Sequence, residues 1–353
     1  MAGVVDSVWS GRDVSPGAIE AALRGLLIEH VRTHVGTMPA RALNLVSVVD
    51  ARWSGEIANR LSRVGRLAPS RNVVCQVEPG RKTLDARATV SGSEGGRDGV
   101  STLRETVVVS VGERHLDHLE TIVDPLVVTD VATVTWSPHG YPEAVDALLA
   151  LSQAVLLDSR EELDPTEALA RVGRLAQETH VVDLSWLRGT PWRERVAAAF
   201  DPAARRPELA TLDGVTVRHR ADSTVAGLLL AGWLATRLGW RVSGLTRRGE
   251  GLAGQARSPR GEVMVRLEPE PDMTAPGLCG LALHSASGTG LALRRGAGGL
   301  RMVRTDRSGR ERAWTVLGAS RGEPGILGEG LRQALLCDDT FAPALEAARD
   351  MAA

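Results

Sequence analysis

The stretch that decides the fold is "ALNLVSVVDARWSGEIANRLSRVGRLAPSRNVVCQVE", residues 42–78. It opens on a short apolar run, ALNLVSVVD (42–50), read as a strand. SGEIANRLSRVGRL (54–67) reads as a helix, and RNVVCQVE (71–78) as a second strand. A βαβ unit of this length joins two parallel strands through a crossover. Downstream, TLDARATV (83–90) and LRETVVVSV (103–111) alternate with period two across the Gly-rich SGSEGGRDG (91–99), which predicts an antiparallel pair. Alternation then resumes: helix 114–123, strand 131–136, helix 142–151, strand 154–158, helix 165–178, strand 180–184 and helix 191–200. Upstream, residues 14–34 form an amphipathic helix. Ser15 is its cap, Pro16 sits in its first turn, and Ile19, Leu23, Leu26, Leu27 and Val31 form its stripe.

DPAARRPEL (201–209), with two prolines and little apolar content, marks a boundary. Strand GVTVRHR (214–220) follows. The largely buried helix 223–238 has Ser223 as cap and Gly239 at the C′ position. Strand 240–244, a Gly- and Arg-rich loop (247–261), strands near 262–268, 278–284, 290–295 and 299–304, and helices near 325–337 and 340–352 complete the chain. The fold class is therefore α/β with two domains of layered mixed sheets. Residues 1–36 are an amino-terminal helical extension. Residues 37–205 have a largely parallel, Rossmann-like core, and residues 206–353 are α/β with an antiparallel meander.

The 353 residues are 43% apolar and 24% charged, with a net charge of −1. Such a balance provides no strong field for nucleic acid or an anionic membrane. Lys82 is the only lysine, and aromatics make up 3%, too few for a base-stacking platform. The start, MAGVVDSVWSGRD, lacks the basic and apolar regions of a signal peptide, and the longest apolar stretch, VAGLLLAGWLA (225–235), is about half a membrane span. Cys75, Cys279 and Cys337 lie far apart with no CxxC. A cytoplasmic protein with reduced thiols is expected.

Short catalytic motifs fail in turn. The lysine in GRKT is not preceded by glycine, so no phosphate-binding P-loop is present, and no GxGxxG follows the first strand. GASRG (318–322) matches a nucleophile elbow at Ser320. The last histidine is His284, so the triad cannot follow in hydrolase order. His30 and His34 have zinc-ligand spacing without a third ligand, and His115, Asp117, His118 and Glu120 alternate with leucines as on an ordinary amphipathic helix. The many arginines of residues 237–321 suit either a solvated sheet face or a surface for an acidic partner or a phosphorylated ligand. In WSPHG, His139 ends a strand at a tight turn but lacks a visible acid–base partner. Its turn reads as scaffold bordering a binding surface, and the alternative reading is a regulatory protein that binds a sugar phosphate or nucleotide at the turn 137–140 and nearby arginines.

Four longer stretches carry a resemblance: 38–81, 122–140 (IVDPLVVTDVATVTWSPHG), 183–202 (DLSWLRGTPWRERVAAAFDP) and 223–240 (STVAGLLLAGWLATRLGW). In this order they resemble the OpcA family of glucose-6-phosphate dehydrogenase assembly proteins. The resemblance runs from about residue 37 to the end. It implies a non-catalytic factor that binds that dehydrogenase, favours its active oligomer and serves the oxidative pentose phosphate pathway, with no cofactor. The family brings no catalytic residues to carry over. Ser70 and Arg71, Trp136, Ser137 and His139, and Thr190 and Trp192 are the positions expected near a functional surface.

Overall fold

The structure is a computed structural model that describes residues 7–33, 37–38, 41–64, 70–93, 101–296, 298–317 and 322–353. His34 and Ser320 lie outside the described residues. The protein is mixed α/β with two large sheets. Its contacts group into two compact units. The first comprises residues 1–157, 178–182 and 327–336; the second comprises 158–177, 183–326 and 337–353.

The first sheet is built from β1 (Ser7–Gly11), β2 (Thr37–Met38), β3 (Leu43–Asp50), β4 (Ser70–Val77), β5 (Asp85–Ser93), β6 (Ser101–Val111), β7 (Thr133–Trp136), β8 (Ala154–Leu157) and β9 (His180–Asp183). Their order is β1-β5-β6-β4-β3-β7-β8-β9, with β2 beside β6. β3 and β4 pair in parallel, as the βαβ reading requires, with Val46 opposite Val73. β6, β7 and β8 extend the parallel run, and β5 pairs antiparallel with β6. Every residue of β3 is buried, which explains its near-continuous apolar run: a central parallel strand is covered on both faces. Of its three polar residues, Asn44, Ser47 and Asp50, Asn44 is fully bonded, whereas the Ser47 hydroxyl has no partner among the described residues. The Asn44 amide donates to the Val128 and Val131 carbonyls and to Thr133 Oγ1, and accepts from the Val128 N–H.

The helices of this region are α1 (Pro16–Thr33), α2 (Ser54–Val64), α3 (Leu119–Val123) and α4 (Pro142–Ala147). The Ser15 hydroxyl accepts from the Ala18 N–H, capping α1 as expected. Ile19 and Leu23 of α1 pack into the core with Val73, Val107 and Leu119, while Val31 remains 44% exposed. β1, whose SVWSG carries no strong periodicity, is held by its register with β5. The helix and strand of residues 7–33 thus belong to the first unit.

Further along the chain come α5 (Pro165–Glu178), α6 (Leu184–Arg188), α7 (Thr190–Phe200), α8 (Arg206–Leu209), α9 (Thr224–Leu238), α10 (Gly322–Gln333) and α11 (Phe341–Ala352). The second sheet contains β10 (Leu212–Arg220), β11 (Thr246–Arg248), β12 (Gly251–Ser258), β13 (Gly261–Glu270), β14 (Leu278–Ser285), β15 (Gly290–Gly296), β16 (Gly299–Thr305) and β17 (Glu311–Leu317), in the order β11-β12-β13-β10-β14-β15-β16-β17. β10 is parallel to β13 and antiparallel to β14; the remaining pairs are antiparallel. α9 packs on β10 and β13, burying Leu228, Leu229, Leu230 and Leu234. Each such side chain contributes about 1.5–3 kcal/mol.

Four local expectations change. The strands near 262–268 and 278–284 are not neighbours in a meander, because β10 lies between them, parallel to β13 and antiparallel to β14. The strand at 240–244 does not form; Arg241 makes only a single bridge with Arg257. The loop at 247–261 is instead the β11–β12 hairpin, turning at Gly249 with φ +62°. It is an edge hairpin, with few buried side chains and hence little apolar alternation to read. Ser223 occupies the N-cap position of α9, but its hydroxyl donates to Asp222 and accepts from the Gly277 N–H rather than capping the helix.

Candidate functional site

β3 and β7 are parallel neighbours, with Ser47 opposite Trp136. The chain leaves β3 for β4 on one side, whereas β7 lies on the other. Open α/β sheets bind ligands in the crevice beyond such a switch point, at the carboxyl ends of the strands. Here that position is filled by two turns. After β3, Asp50 caps the 3₁₀ turn Ala51–Trp53: its Oδ1 accepts from the Arg52 N–H at 2.8 Å, and Oδ2 meets the Arg52 guanidinium at 2.6 Å. The hydrogen bonds from Arg52 hold the Asp50 carboxyl down at about 2.

After β7, the Ser137 hydroxyl donates to the Gly140 carbonyl and closes the turn. Gly140 takes φ +87°, and Tyr141, at φ +72°, leads into α4. The His139 ring lies 5.9 Å from the ring of Trp53, which is itself 48% exposed. His139 Nδ1 is buried and has no hydrogen-bond partner among the described residues. Burial lowers the His139 pKa, with opposing contributions from Glu56 and Asp50 (up) and Arg60 and Arg52 (down). The imidazole is therefore neutral at pH 7. Burial, followed by the Asp50 charge, raises Tyr141.

This arrangement offers a neutral imidazole, an ionised carboxylate and a half-exposed indole. It does not suit a pyrophosphate, because Asp50 already places an anion on the Arg52 amide and the bulky 51–53 turn replaces a glycine cradle. It suits an uncharged polar group or a protein surface.

The remaining sequence candidates lie elsewhere. Ser70 and Arg71 begin β4, so they sit at the amino ends of the parallel strands, opposite to His139. The Ser70 hydroxyl donates to Asn72 Oδ1 at 3.1 Å. Arg71 and Arg41 grip the two oxygens of Glu105 at 2.7 and 2.6 Å, and Glu105 is 1% exposed. Trp136 and Trp192 are buried at 1% and 2% exposure. Thr190 is the first residue of α7 and accepts from Arg193, whose guanidinium stacks 3.4 Å from the Trp186 ring centroid.

One cluster in the second unit escaped the sequence reading. Asp158 follows β8 and Asp183 ends β9, in LLDSR (156–160) and VVDLS (181–185), and that shared pattern is the signal that could have found them. Arg188 grips both oxygens of Asp158 at 2.9 and 2.7 Å, and the Ser185 hydroxyl donates to Asp158 Oδ1. Burial pushes Asp158 up, but the Arg188 charge and hydrogen bonds outweigh it and leave the carboxyl below its usual value. Asp183 Oδ1 accepts from the Ser159 and Ser185 N–H groups, while Oδ2 has no partner among the described residues. The Ser159 hydroxyl lies near enough to favour the Asp183 carboxylate electrostatically yet outside hydrogen-bond geometry. Burial first, then the Asp158 charge, raise Asp183 to about 6. No group of three or more His, Cys, Asp or Glu residues is placed to hold a metal among the described residues. No described helix is long and apolar enough to cross a membrane.

The chain is 29% identical over 141 residues to the OxPP cycle protein OpcA of Synechococcus elongatus and 26% identical over 129 residues to that of Synechocystis. These matches cover 39% and 35% of the chain, and only 32% and 27% of the relatives' length. Among solved structures, scyllo-inositol dehydrogenase from Lactobacillus casei aligns over 88% of the chain and 94% of its own, at 11% identity. Its TM-score of 0.40 is too low for the likeness to carry an argument. Two family models match in sequence: the glucose-6-phosphate dehydrogenase subunit N-terminal domain over residues 61–174 and the corresponding C-terminal domain over 179–345. With both models matched in order across most of its length, the chain belongs to the OpcA family of glucose-6-phosphate dehydrogenase assembly proteins.

Proposed function

We propose that the protein is a non-catalytic factor that binds glucose-6-phosphate dehydrogenase, stabilises its active oligomer and so serves the oxidative pentose phosphate pathway. The observation that carries this reading is the pair of consecutive matches to domains described as belonging to a subunit of that dehydrogenase. Thermodynamically, such a factor binds one oligomeric form more tightly than another and shifts the population toward it. The test is the native mass and specific activity of the cognate dehydrogenase with and without the chain. Both change on this reading; an unchanged mass and activity at micromolar concentrations refute it.

A second reading places a small ligand at the β3–β7 crevice. It is favoured by the unpartnered Nδ1 of His139 beside the half-exposed Trp53. The Asp50 carboxylate there weighs against a phosphorylated ligand and for an uncharged polyol such as a free sugar. A ligand at 100 times its Kd adds about 2.7 kcal/mol to stability. Thermal shifts with glucose and with glucose 6-phosphate, repeated on Trp53→Ala, therefore test it. No shift with either compound removes this reading.

A further inference from the structure

The second sheet has two unlike faces. α9 covers one of them: a Cβ on Gly227 would stand 3.0 Å from Leu267 Cδ2. The buried rows of that face run Leu267–Val217–Leu281–Leu293–Met302 in register across five strands. On the other face, the rows in register are different. Thr216–Ala282–Ala292–Val303–Ala313 crosses β10 and β14–β17 with short side chains only. The next row is Glu268–Arg218–Gly280–Arg294–Arg301.

Water-facing strands of an antiparallel sheet ordinarily carry long polar side chains. Here the centre is short and flat, and the long side chains stand around it. Arg294 and Arg301 are exposed and directly opposite each other, a like-charge cross-strand pair that is unfavourable by itself. Arg218 is neutralised by Glu268 at 3.0 Å. Arg266, Arg294 and Arg301 make no ion pair among the described residues. Two open hollows flank the short-side-chain centre. One, of about 560 Å³, is lined by Arg248 and Arg266 together with Glu250 and Glu268; the other, of about 350 Å³, by Arg218 and Arg294 together with Glu270 and Asp272.

We infer that this open face is a docking surface for an acidic protein surface. On the reading proposed above, on which this inference rests, that surface belongs to the dehydrogenase. Short central side chains let a second layer approach to about 10 Å, the spacing of packed sheets. The flanking arginines receive carboxylates, whose planar geometry they match. Charge selects this occupant over a second copy of the chain. The face carries Arg218, Arg220, Arg248, Arg257, Arg266, Arg294 and Arg301 against Glu262, Glu268, Glu270 and Glu311, so two such faces would meet with an excess of positive charge on both sides.

The experiment is binding of the cognate dehydrogenase, followed by analytical ultracentrifugation at low and high salt. It compares the unaltered chain, the double variant Arg294→Glu with Arg301→Glu, the single variant Ala292→Arg, and Arg24→Glu on α1 as a control. Circular dichroism melts confirm that each variant folds. The charge variant is expected to weaken binding at least tenfold at low salt and to flatten the salt dependence; Ala292→Arg weakens it at both salt levels and Arg24→Glu does not. A complex that both sheet-face alterations leave within twofold of the original overturns this inference alone. An unaltered chain that never binds the dehydrogenase overturns the assembly reading and this inference with it. Self-association of the chain that the double variant abolishes assigns the face to a second copy, and overturns the choice of occupant.

Discussion

Asp183 shows how a single buried carboxyl ties stability to pH. Its folded value, about 6, lies above the unfolded value of 3.8. The neutral form is thus the one the fold favours. The stabilisation is complete below about pH 4 and is lost as pH rises to 6, a difference of about 3 kcal/mol at 1.36 kcal/mol per unit. Asp183→Asn keeps the oxygen that accepts from Ser159 and Ser185 and removes the charge. Urea unfolding from pH 4 to pH 8 is expected to show the variant more stable than the original at pH 8, with the gain vanishing near pH 4. A gain that does not vary with pH would contradict the titration account. Glu105 is a second buried carboxyl, held by ion pairs with Arg41 and Arg71. Glu105→Ala leaves two guanidinium groups without their counter-charge and is expected to cost about 3–5 kcal/mol in the same assay. Arg71 was legible in the sequence as a notable residue. Its role was not, because its partner lies on a strand 34 positions away.

Two glycines in helices separate intrinsic propensity from packing. Gly25 of α1 has nothing within 4 Å of where a Cβ would stand. Gly25→Ala is therefore expected to raise stability by about 0.5–1 kcal/mol through helix propensity and reduced chain entropy. Gly232 of α9 would place a Cβ 2.3 Å from the Ala344 carbonyl oxygen of α11. Gly232→Ala must separate the two helices and is expected to cost about 1–3 kcal/mol, despite the better helix former. Thermal melts of the two variants should move in opposite directions; equal shifts would show that α9 and α11 do not meet at their backbones. The elements themselves were mostly readable. Parallel strands covered on both faces write continuous apolar runs, and single-face helices write a 3.6-residue period. The β11–β12 hairpin wrote neither, since an edge with few buried side chains needs no apolar pattern.

At the level of the whole molecule, the proposed reading assigns activity to a complex with the dehydrogenase. The chain is expected to raise the specific activity of its dehydrogenase together with a change in native mass, and charge reversal at Arg294 and Arg301 is expected to remove both effects. An enzyme assay coupled to light scattering reads the two together. Activation that persists without any change in mass would refute action through assembly.

Most of the elements, the parallel βαβ start, the antiparallel run through β14, β15 and β16 and the family were legible in the residues alone. Each rests on local periodicity or on long stretches read in order. The tertiary structure decided which residues meet. Register set Arg294 against Arg301 and a short-side-chain row across five strands, a pairing between segments that no local pattern encodes. Strand direction put Arg71 and His139 at opposite ends of one sheet, although both had been singled out for the same reason. Burial gave Trp136 and Trp192 to the core and left Trp53 beside His139 at the surface. A side chain's chemistry is written in its own letter, but its charge state and its partners depend on what the fold brings within a few ångströms.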